Sequence, residues 1–321
     1  MMRALVLALV LGVSTAQAQT PNREYPERPI RLIVATAAGG ASDILARQVG
    51  ERLTAAWEQP VVVDPRPGAN GNVAALAAAR SAPDGYTLMM GTIGVMAVNP
   101  AIYRDVGYDP ARDFDPIARL VSFANILVVN PRIPATTQRE FIDYVKANPG
   151  LGYGSPGNGG SPHLAMLVFA RMAGIQMEHI PYRGAAPALN DIIAGNLASA
   201  FSDPLVTIPQ IRAGSVRALA VSGTRRLAAL PDVPTVAEAG MAGYEVVGWL
   251  GIVAPRGVPR PIVTRLNAEL NRIMRTAEME TRMRDQGTEI VTGTPEAFGD
   301  YIRGEIARWA QITREAGVRA E

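Results

Sequence analysis

Two glycine-rich turns carry residue types that could bind a small anion through the backbone. Gly39 and Gly40 follow an apolar run and precede Ser42 and Asp43, and residues 153–163 repeat this pattern further along the chain. Each turn predicts a strand, a loop and a helix start, with Ser42 or Asp43 as the N-cap of the first helix. The first N–H groups of a helix lack intrahelical partners and lie at the positive end of its dipole. Two such turns predict a small anion held between two lobes.

Other short polar residues also follow predicted strands. They are Asn70 with Gly71, Thr92 with Ile93, the group Ser155, Gly157, Asn158, Ser161 and His163, and Asp203. Because open α/β sheets bind ligands at the carboxyl ends of their strands, we expect these residues to face one cleft. The same residue types also form ordinary turns and caps, so both interpretations stay open. His163 alone is more typical of a cap or a packed ring. Asp203 fits an Asp-Pro turn as well as a contact to a ligand amine or hydroxyl.

Catalytic, metal and nucleotide chemistry have weak support in this sequence. A nucleophile elbow has the pattern Gly-x-Ser-x-Gly, but the residue two positions before Ser155 is Tyr153. The Gly-x-Gly-x-x-Gly spacing of a dinucleotide-binding loop is also missing. Two histidines and no cysteine make a zinc site improbable. We therefore expect no catalytic residue, no metal and no cofactor. An exported hydrolase that uses Ser155 and His163 remains the alternative.

The amino terminus predicts export. Arg3, the apolar residues 4–13 and the segment Ala16-Gln17-Ala18 form a secretory signal over residues 1–18, with cleavage before Gln19. A lipid anchor would need a cysteine at the cleavage site, and the chain has none. We expect a periplasmic protein. Its net charge of +2 comes without a dense basic run, which excludes nucleic acid as the expected partner.

Apolar runs alternate with amphipathic stretches along 321 residues, enough for more than one domain. This alternation predicts an α/β protein with mainly parallel sheets flanked by helices. Two long extended segments, 114–129 and 244–254, predict that the chain crosses twice between two lobes. We expect one lobe from residues 23–122 plus 250–321 and the other from residues 123–249.

Nine segments in order carry a family pattern. They are residues 25–34, 38–47, 67–72, 82–88, 153–159, 179–188, 219–222, 230–240 and 308–309. They include Ala38-Gly-Gly-Ala-Ser-Asp-Ile-Leu-Ala-Arg47, Tyr153-Gly-Ser-Pro-Gly-Asn-Gly159 and His179-Ile-Pro-Tyr-Arg-Gly-Ala-Ala-Pro-Ala188. Over essentially its full mature length, the chain resembles the substrate-binding proteins of tripartite tricarboxylate transporters, also called Bug proteins.

The resemblance implies a Venus-flytrap periplasmic-binding-protein fold that captures a small organic carboxylate and delivers it to a membrane permease. It also implies that backbone amides and ordered water hold the carboxylate. The contacts carried over are Ala38, Gly39, Gly40, Asp43 and Thr92 on one side, and Ser155, Gly157, Asn158, His163, Tyr182, Arg183, Gly184, Ala185 and Asp203 on the other. The partners implied are the permease subunits. A sensory role with a receptor kinase is the alternative, and a monomer is expected.

One departure from the family concerns the segment after Thr92. Family members often have Thr-His-Ala where this chain has Val95, Met96 and Ala97. We therefore expect a less polar cavity wall near Met96, which would favour a carboxylate with an apolar or aromatic body.

Overall fold

Two β-sheets flanked by helices form the fold in the computed structural model, which describes residues 25–319. The predicted signal peptide, residues 1–18, lies outside the described residues. Over residues 25–319, no helix is long and apolar enough to span a bilayer.

The first sheet has six strands in the described chain, in the order β11-β4-β10-β3-β1-β2. These strands are β1 (Ile30–Val34), β2 (Val61–Pro65), β3 (Thr87–Thr92), β4 (Phe114–Ala124), β10 (Val247–Pro255) and β11 (Glu289–Ile290). Its helices are α1 (Ala41–Trp57), α2 (Asn72–Ala79), α3 (Asn99–Ile102), α8 (Arg260–Met274), α9 (Ala277–Asp285) and α10 (Pro295–Glu315). A 3-10 turn at Ala69–Gly71 and a π-helical turn at Gly94–Val98 lie between them.

The second sheet has five strands among the described residues, in the order β7-β6-β8-β5-β9. They are β5 (Ile126–Val129), β6 (Gly152–Ser155), β7 (Glu178–Pro181), β8 (Ser199–Ser202) and β9 (Arg217–Val221). Helices α4 (Gln138–Ala147), α5 (Ser161–Ala173), α6 (Ala185–Ala194) and α7 (Pro204–Arg212) accompany this sheet.

Both sheets are mixed: most strands of each point the same way, as predicted, and β10 and β11 in the first sheet and β5 in the second run against them. In the first sheet, β1 pairs in parallel with β2 and β3, whereas β10 runs antiparallel to both β3 and β4. In the second sheet, β5 runs antiparallel to both β8 and β9. β11, which follows α9, runs antiparallel to its neighbour β4. The other two strands, β5 and β10, are those that follow a passage between the sheets. They enter without the crossover helix that would make them parallel to their neighbours.

The chain passes from the first sheet to the second at Asn125 and returns beyond Ser222. Hydrogen bonds join the two passages. The Asn125 N–H donates to Ser222 Oγ at 2.8 Å, and the Ser222 N–H donates to the Asn125 carbonyl at 2.8 Å. The Ser222 hydroxyl donates to the Val246 carbonyl at 2.5 Å. These bonds hold the two connecting segments side by side between the sheets.

The long apolar runs of the sequence form the core. In β1, Ile30, Ile33 and Val34 are fully buried, as expected of a strand that is covered on both faces. Helix α10 has a side-chain N-cap, because the Thr294 hydroxyl accepts a hydrogen bond from the Ala297 N–H at 3.2 Å. The fold therefore presents the loops at the carboxyl ends of β1, β3, β6, β7 and β8 on rigid strands.

Candidate functional site

A cavity of about 620 Å³ lies between the loops of the two sheets. This volume is typical of small-molecule sites. Ten of the seventeen predicted contacts line it: Ser42, Asn70, Thr92, Ile93, Gly157, Asn158, Tyr182, Arg183, Gly184 and Asp203. The other seven are outside the lining: Ala38, Gly39, Gly40, Asp43, Ser155, His163 and Ala185.

The first loop leads from β1 into α1. Helix α1 begins at Ala41 with Gly40 as its N-cap, so the prediction of a cap at Ser42 or Asp43 is wrong. Asp43 Oδ2 instead accepts the Gly39 N–H at 3.0 Å from inside the first turn, and it also accepts Arg47 Nε at 3.0 Å. These two hydrogen bonds indicate that the Asp43 carboxylate stabilises the conformation of the loop. Ser42, next to it, lines the cavity.

The second loop precedes α2 and has an unusual backbone. Ala69 and Asn70 have φ angles of 43° and 50°, a left-handed conformation that side chains rarely adopt. Asn99 supports it: its Nδ2 donates to the Asn70 carbonyl at 3.0 Å, and its Oδ1 accepts Asn70 Nδ2 at 2.7 Å. Asn99 Nδ2 also donates to Asn72 Oδ1 at 2.6 Å. This buried amide network fixes the Asn70 side chain at the cavity wall.

The third loop follows β3. Thr92, Ile93 and Gly94 line the cavity, and the Val95 N–H donates to Thr92 Oγ1 at 3.3 Å as a π-helical turn begins. Met96 is fully buried and lines a separate cavity of about 40 Å³. The expectation of an altered cavity wall at Met96 is therefore wrong. The π-helical turn directs this side chain away from the cleft, a geometry that no periodicity of the sequence indicates.

In the fourth loop, Ser155 is held by its neighbours. Its hydroxyl donates to the Gly157 carbonyl at 2.9 Å and accepts the Gly157 N–H at 3.2 Å. His179 Nε2 lies 2.6 Å from the same oxygen. Since the hydroxyl proton is already given to Gly157, His179 acts as the donor to Ser155. Ser155 is fully buried, and its oxygen braces the loop that presents Gly157 and Asn158.

His163 and His179 stack with ring centroids 4.0 Å apart. His163 Nδ1 accepts the Gly159 N–H at 3.0 Å, so this ring supports the fourth loop from outside the cavity lining. Burial lowers the pKa of His163 to about 3, with a further contribution from His179. Burial also lowers the pKa of His179 to about 4. Both imidazoles are therefore neutral at pH 7.

Two charged side chains line the cavity in the described chain, Arg183 and Asp203. Arg183 is exposed and lies in the loop between β7 and α6. Asp203 follows β8 and is only 8% exposed. Burial raises the pKa of its carboxyl to about 7. Beside Arg183, the Tyr182 hydroxyl donates to Asp191 Oδ2 at 2.5 Å, which fixes the Tyr182 ring.

Five helices begin at the cavity without a side-chain cap from any described residue: α1, α2, α5, α6 and α7. By contrast, threonine hydroxyls cap α4, α9 and α10, which begin elsewhere. Four of the five N-cap residues line the cavity: Gly71, Gly160, Gly184 and Asp203. Uncapped N-termini leave N–H donors and positive dipole ends facing the cavity, an arrangement suited to an anion.

Sequence reasoning missed several lining residues. Among them are Thr36, Ala69, Tyr103, Phe123, Trp249 and Leu250. Tyr103, Phe123 and Leu250 reach the cavity because their elements pack across the cleft, and no local pattern encodes that packing.

The fold and the cavity define a class, the two-lobed α/β solute receptors. The model of the tripartite tricarboxylate transporter family receptor matches residues 45–318. BugT of Bordetella pertussis is 31% identical over 98% of this chain and 97% of its own. The chain belongs to this receptor family, as the resemblance of the sequence predicted.

Solved structures agree with this membership. Rpa4515 of R. palustris, solved with adipate, is 36% identical over 92% of this chain and 99% of its own, with a TM-score of 0.90. MatC of Rhodopseudomonas palustris, solved with bound malate, is 30% identical over 90% of this chain and 99% of its own, with a TM-score of 0.85. The predicted two-lobed α/β fold is confirmed.

Proposed function

We propose that this protein is a periplasmic receptor that binds a small organic carboxylate between its two sheets and delivers it to membrane permease subunits. The observation that carries the proposal is the convergence of five uncapped helix N-termini on one cavity. A carboxylate there gains charge-assisted hydrogen bonds from backbone N–H groups. Adipate in Rpa4515 and malate in MatC support this ligand class.

The ten predicted contacts in the cavity lining are the proposed ligand contacts. The seven predicted residues outside the lining have positioning roles, as illustrated by Asp43 in the first loop and Ser155 in the fourth. The proposed lobes are residues 23–122 plus 250–321, and residues 123–249. Closure of these lobes removes water from the carboxylate and strengthens its hydrogen bonds.

Export through a cleaved signal over residues 1–18 is part of the proposal, as is a monomeric state. Transport is favoured over sensing by a receptor kinase because the family is named for a transporter. A pull-down with membrane partners separates these two roles. Capture of permease subunits supports delivery, and capture of a kinase alone contradicts it.

A role without catalysis is also proposed. Ser155, the nucleophile of the alternative hydrolase, is fully buried, and His179 rather than His163 lies against its hydroxyl. A turnover assay with the acids and their esters tests this part. We expect no steady product formation from the wild-type protein. Steady turnover that is lost in Ser155→Ala would contradict it.

The proposal as a whole is tested by a thermal-shift screen of the purified protein against small mono-, di- and tricarboxylates. A ligand at 100 times its Kd should stabilise the fold by about 2.7 kcal/mol and raise the melting temperature. The uncharged amide of each acid is the matched control. We expect one chemical class of carboxylates to stabilise the protein while its amides do not. Equal shifts in melting temperature with acids and amides would contradict the proposal. So would the absence of any shift in protein that mass spectrometry shows to be free of bound ligand.

A further inference from the structure

Asp203 differs from the other buried acid at the cavity edge. Asp43 is paired with Arg47 and with the Gly39 N–H. Asp203 lines the cavity, yet within residues 25–319 neither of its carboxylate oxygens accepts a hydrogen bond, and it does not cap α7. The residue after it is Pro204, which has no N–H to offer. The carboxylate oxygens of Asp203 are not sealed in the core but reach the cavity, where a hydrogen-bond donor of a ligand would satisfy them.

The surroundings of Asp203 offer no buried cation among the described residues. Arg183 lies on the loop after β7, with β6 between β7 and β8 in the strand order, and within residues 25–319 it forms no ion pair with Asp203. Helices α1 and α6 both contact α7. On α1, Asp43 pairs with Arg47, and on α6, Asp191 accepts the Tyr182 hydroxyl. On α5, His163 is neutral at pH 7.

The ligand must therefore satisfy two unlike ends of the cavity. One carboxylate matches the N–H groups of the uncapped helices. A second bare carboxylate at Asp203 would face a like charge in a site that excludes water, which is unfavourable. A hydroxyl, an ammonium group or a protonated carboxyl at that end would instead donate to Asp203.

We propose that Asp203 is a specificity-determining residue that selects carboxylic acids whose far end carries a hydrogen-bond donor, so that a dicarboxylate binds with one proton shared between its far carboxyl and Asp203. This inference rests on the proposed function. It narrows the ligand class from carboxylates in general to carboxylates with a donor at the opposite end.

The experiment is a calorimetric titration with two matched series of probes. One is hexanoate, 6-hydroxyhexanoate, 6-aminohexanoate and adipate; the other is butanoate, 4-hydroxybutanoate, 4-aminobutanoate and succinate. We expect the amino and hydroxy acids of the fitting length to bind about 10- to 100-fold more tightly than the unsubstituted acid. Titration in buffers of different ionisation enthalpy counts the protons taken up.

The pH dependence has opposite signs for the two charged probes. Above about pH 7, where Asp203 ionises in the free protein, the Kd of the dicarboxylate should rise up to tenfold per pH unit, with about one proton taken up. The aminoalkanoate should instead bind more tightly as the pH rises to about 7 and level off above it, because it prefers the ionised carboxylate. In Asp203→Asn both slopes should vanish.

The matched control is Asp232→Asn, which removes an exposed acid outside the cavity lining and should keep both slopes. Should Asp203→Asn fail to fold, the proton count and pH slopes of the wild-type protein still decide the question. Equal affinity for the substituted and unsubstituted acids, with no proton taken up, would overturn this inference and leave the proposed function standing. No binding by any carboxylate would overturn both.

Discussion

Ser155 and the stacked rings of His163 and His179 show how single side chains outside the lining shape the cavity. Each of them hydrogen-bonds within the fourth loop or to Ser155. Both imidazoles stay neutral because burial disfavours their charged forms. In the unfolded chain the same imidazoles titrate near pH 6.5. The unfolded state therefore binds more protons than the folded state below that pH.

The two buried histidines should make the free energy of unfolding depend on pH in acid. As pH falls from about 6.5 to 4, the free energy of unfolding should decrease, because folding keeps both histidines unprotonated. In His179→Gln, the amide can still donate to Ser155 but does not titrate. We expect a cost of about 1 kcal/mol at neutral pH and a shallower loss in acid, measured by urea unfolding across this range. An unchanged acid slope in the variant would contradict the assignment.

The residue scale also shows what the sequence could and could not predict about the site. Ser42, Asn70 and Asp203 could be located because short polar residues after strands converge at a sheet edge. His179 was overlooked, since its contact with Ser155 depends on the pairing of β6 with β7. Met96 was misplaced because a π-helical turn rotates its side chain into the core.

At the scale of elements, the N-caps differ between helices that begin at the cavity and three that begin elsewhere, although α3 and α8 also lack a side-chain cap. Those that begin at the cavity have glycine or an unbonded aspartate at the N-cap, and α4, α9 and α10 have bonded threonines. The sequence predicts the threonine caps well, because Thr137 and Thr294 follow local rules. It predicts the uncapped ends less well, since in our proposal the partner of their N–H groups is a ligand, which the local sequence does not show.

An element-scale prediction concerns the loop before α2. Asn99→Ala removes three hydrogen bonds, two of which hold Asn70. We expect a loss of about 1–3 kcal/mol in the free energy of unfolding and a clear loss of ligand affinity, because Asn70 is no longer fixed in its left-handed conformation. Urea unfolding and calorimetry measure the two effects.

Tyr108→Phe is the matched control for this variant. The Tyr108 hydroxyl donates within the same network, to Asn72 Oδ1 at 3.0 Å or to the Val95 carbonyl at 2.9 Å, and does not contact Asn70. This substitution should reduce stability but leave affinity nearly unchanged. Equal affinity losses in both variants would show that general destabilisation, and not the position of Asn70, sets the binding strength.

At the scale of the whole molecule, the loops of the two sheets approach each other closely at Gly94. A Cβ added at Gly94 would lie 3.0 Å from Asn70 Nδ2 and 3.4 Å from the Gly159 carbonyl of the facing loop. The two-lobed architecture could be predicted from the two long extended segments. The mixed sheets could not, since strand direction depends on how the chain re-enters each sheet.

Gly94→Ala tests this close approach. The helical backbone at Gly94 tolerates alanine, so we expect a stable fold. The added methyl should hinder the approach of the two loops and weaken ligand binding by about tenfold, as calorimetry would measure. The control is Gly304→Ala in α10, where a Cβ meets nothing within 4 Å and binding should not change. Unchanged affinity in Gly94→Ala would contradict the role assigned to this contact.

The central claim is that a carboxylate binds between the two lobes, and hydrogen–deuterium exchange with the strongest ligand of the carboxylate screen tests it most directly. We predict slower exchange on both sides of the cleft, in residues 36–42, 69–71 and 92–95 of the first sheet's loops and in residues 157–161 of the second sheet's loops. Protection confined to one sheet, or centred on the separate groove of about 690 Å³ between α7 and α9, would contradict the claim.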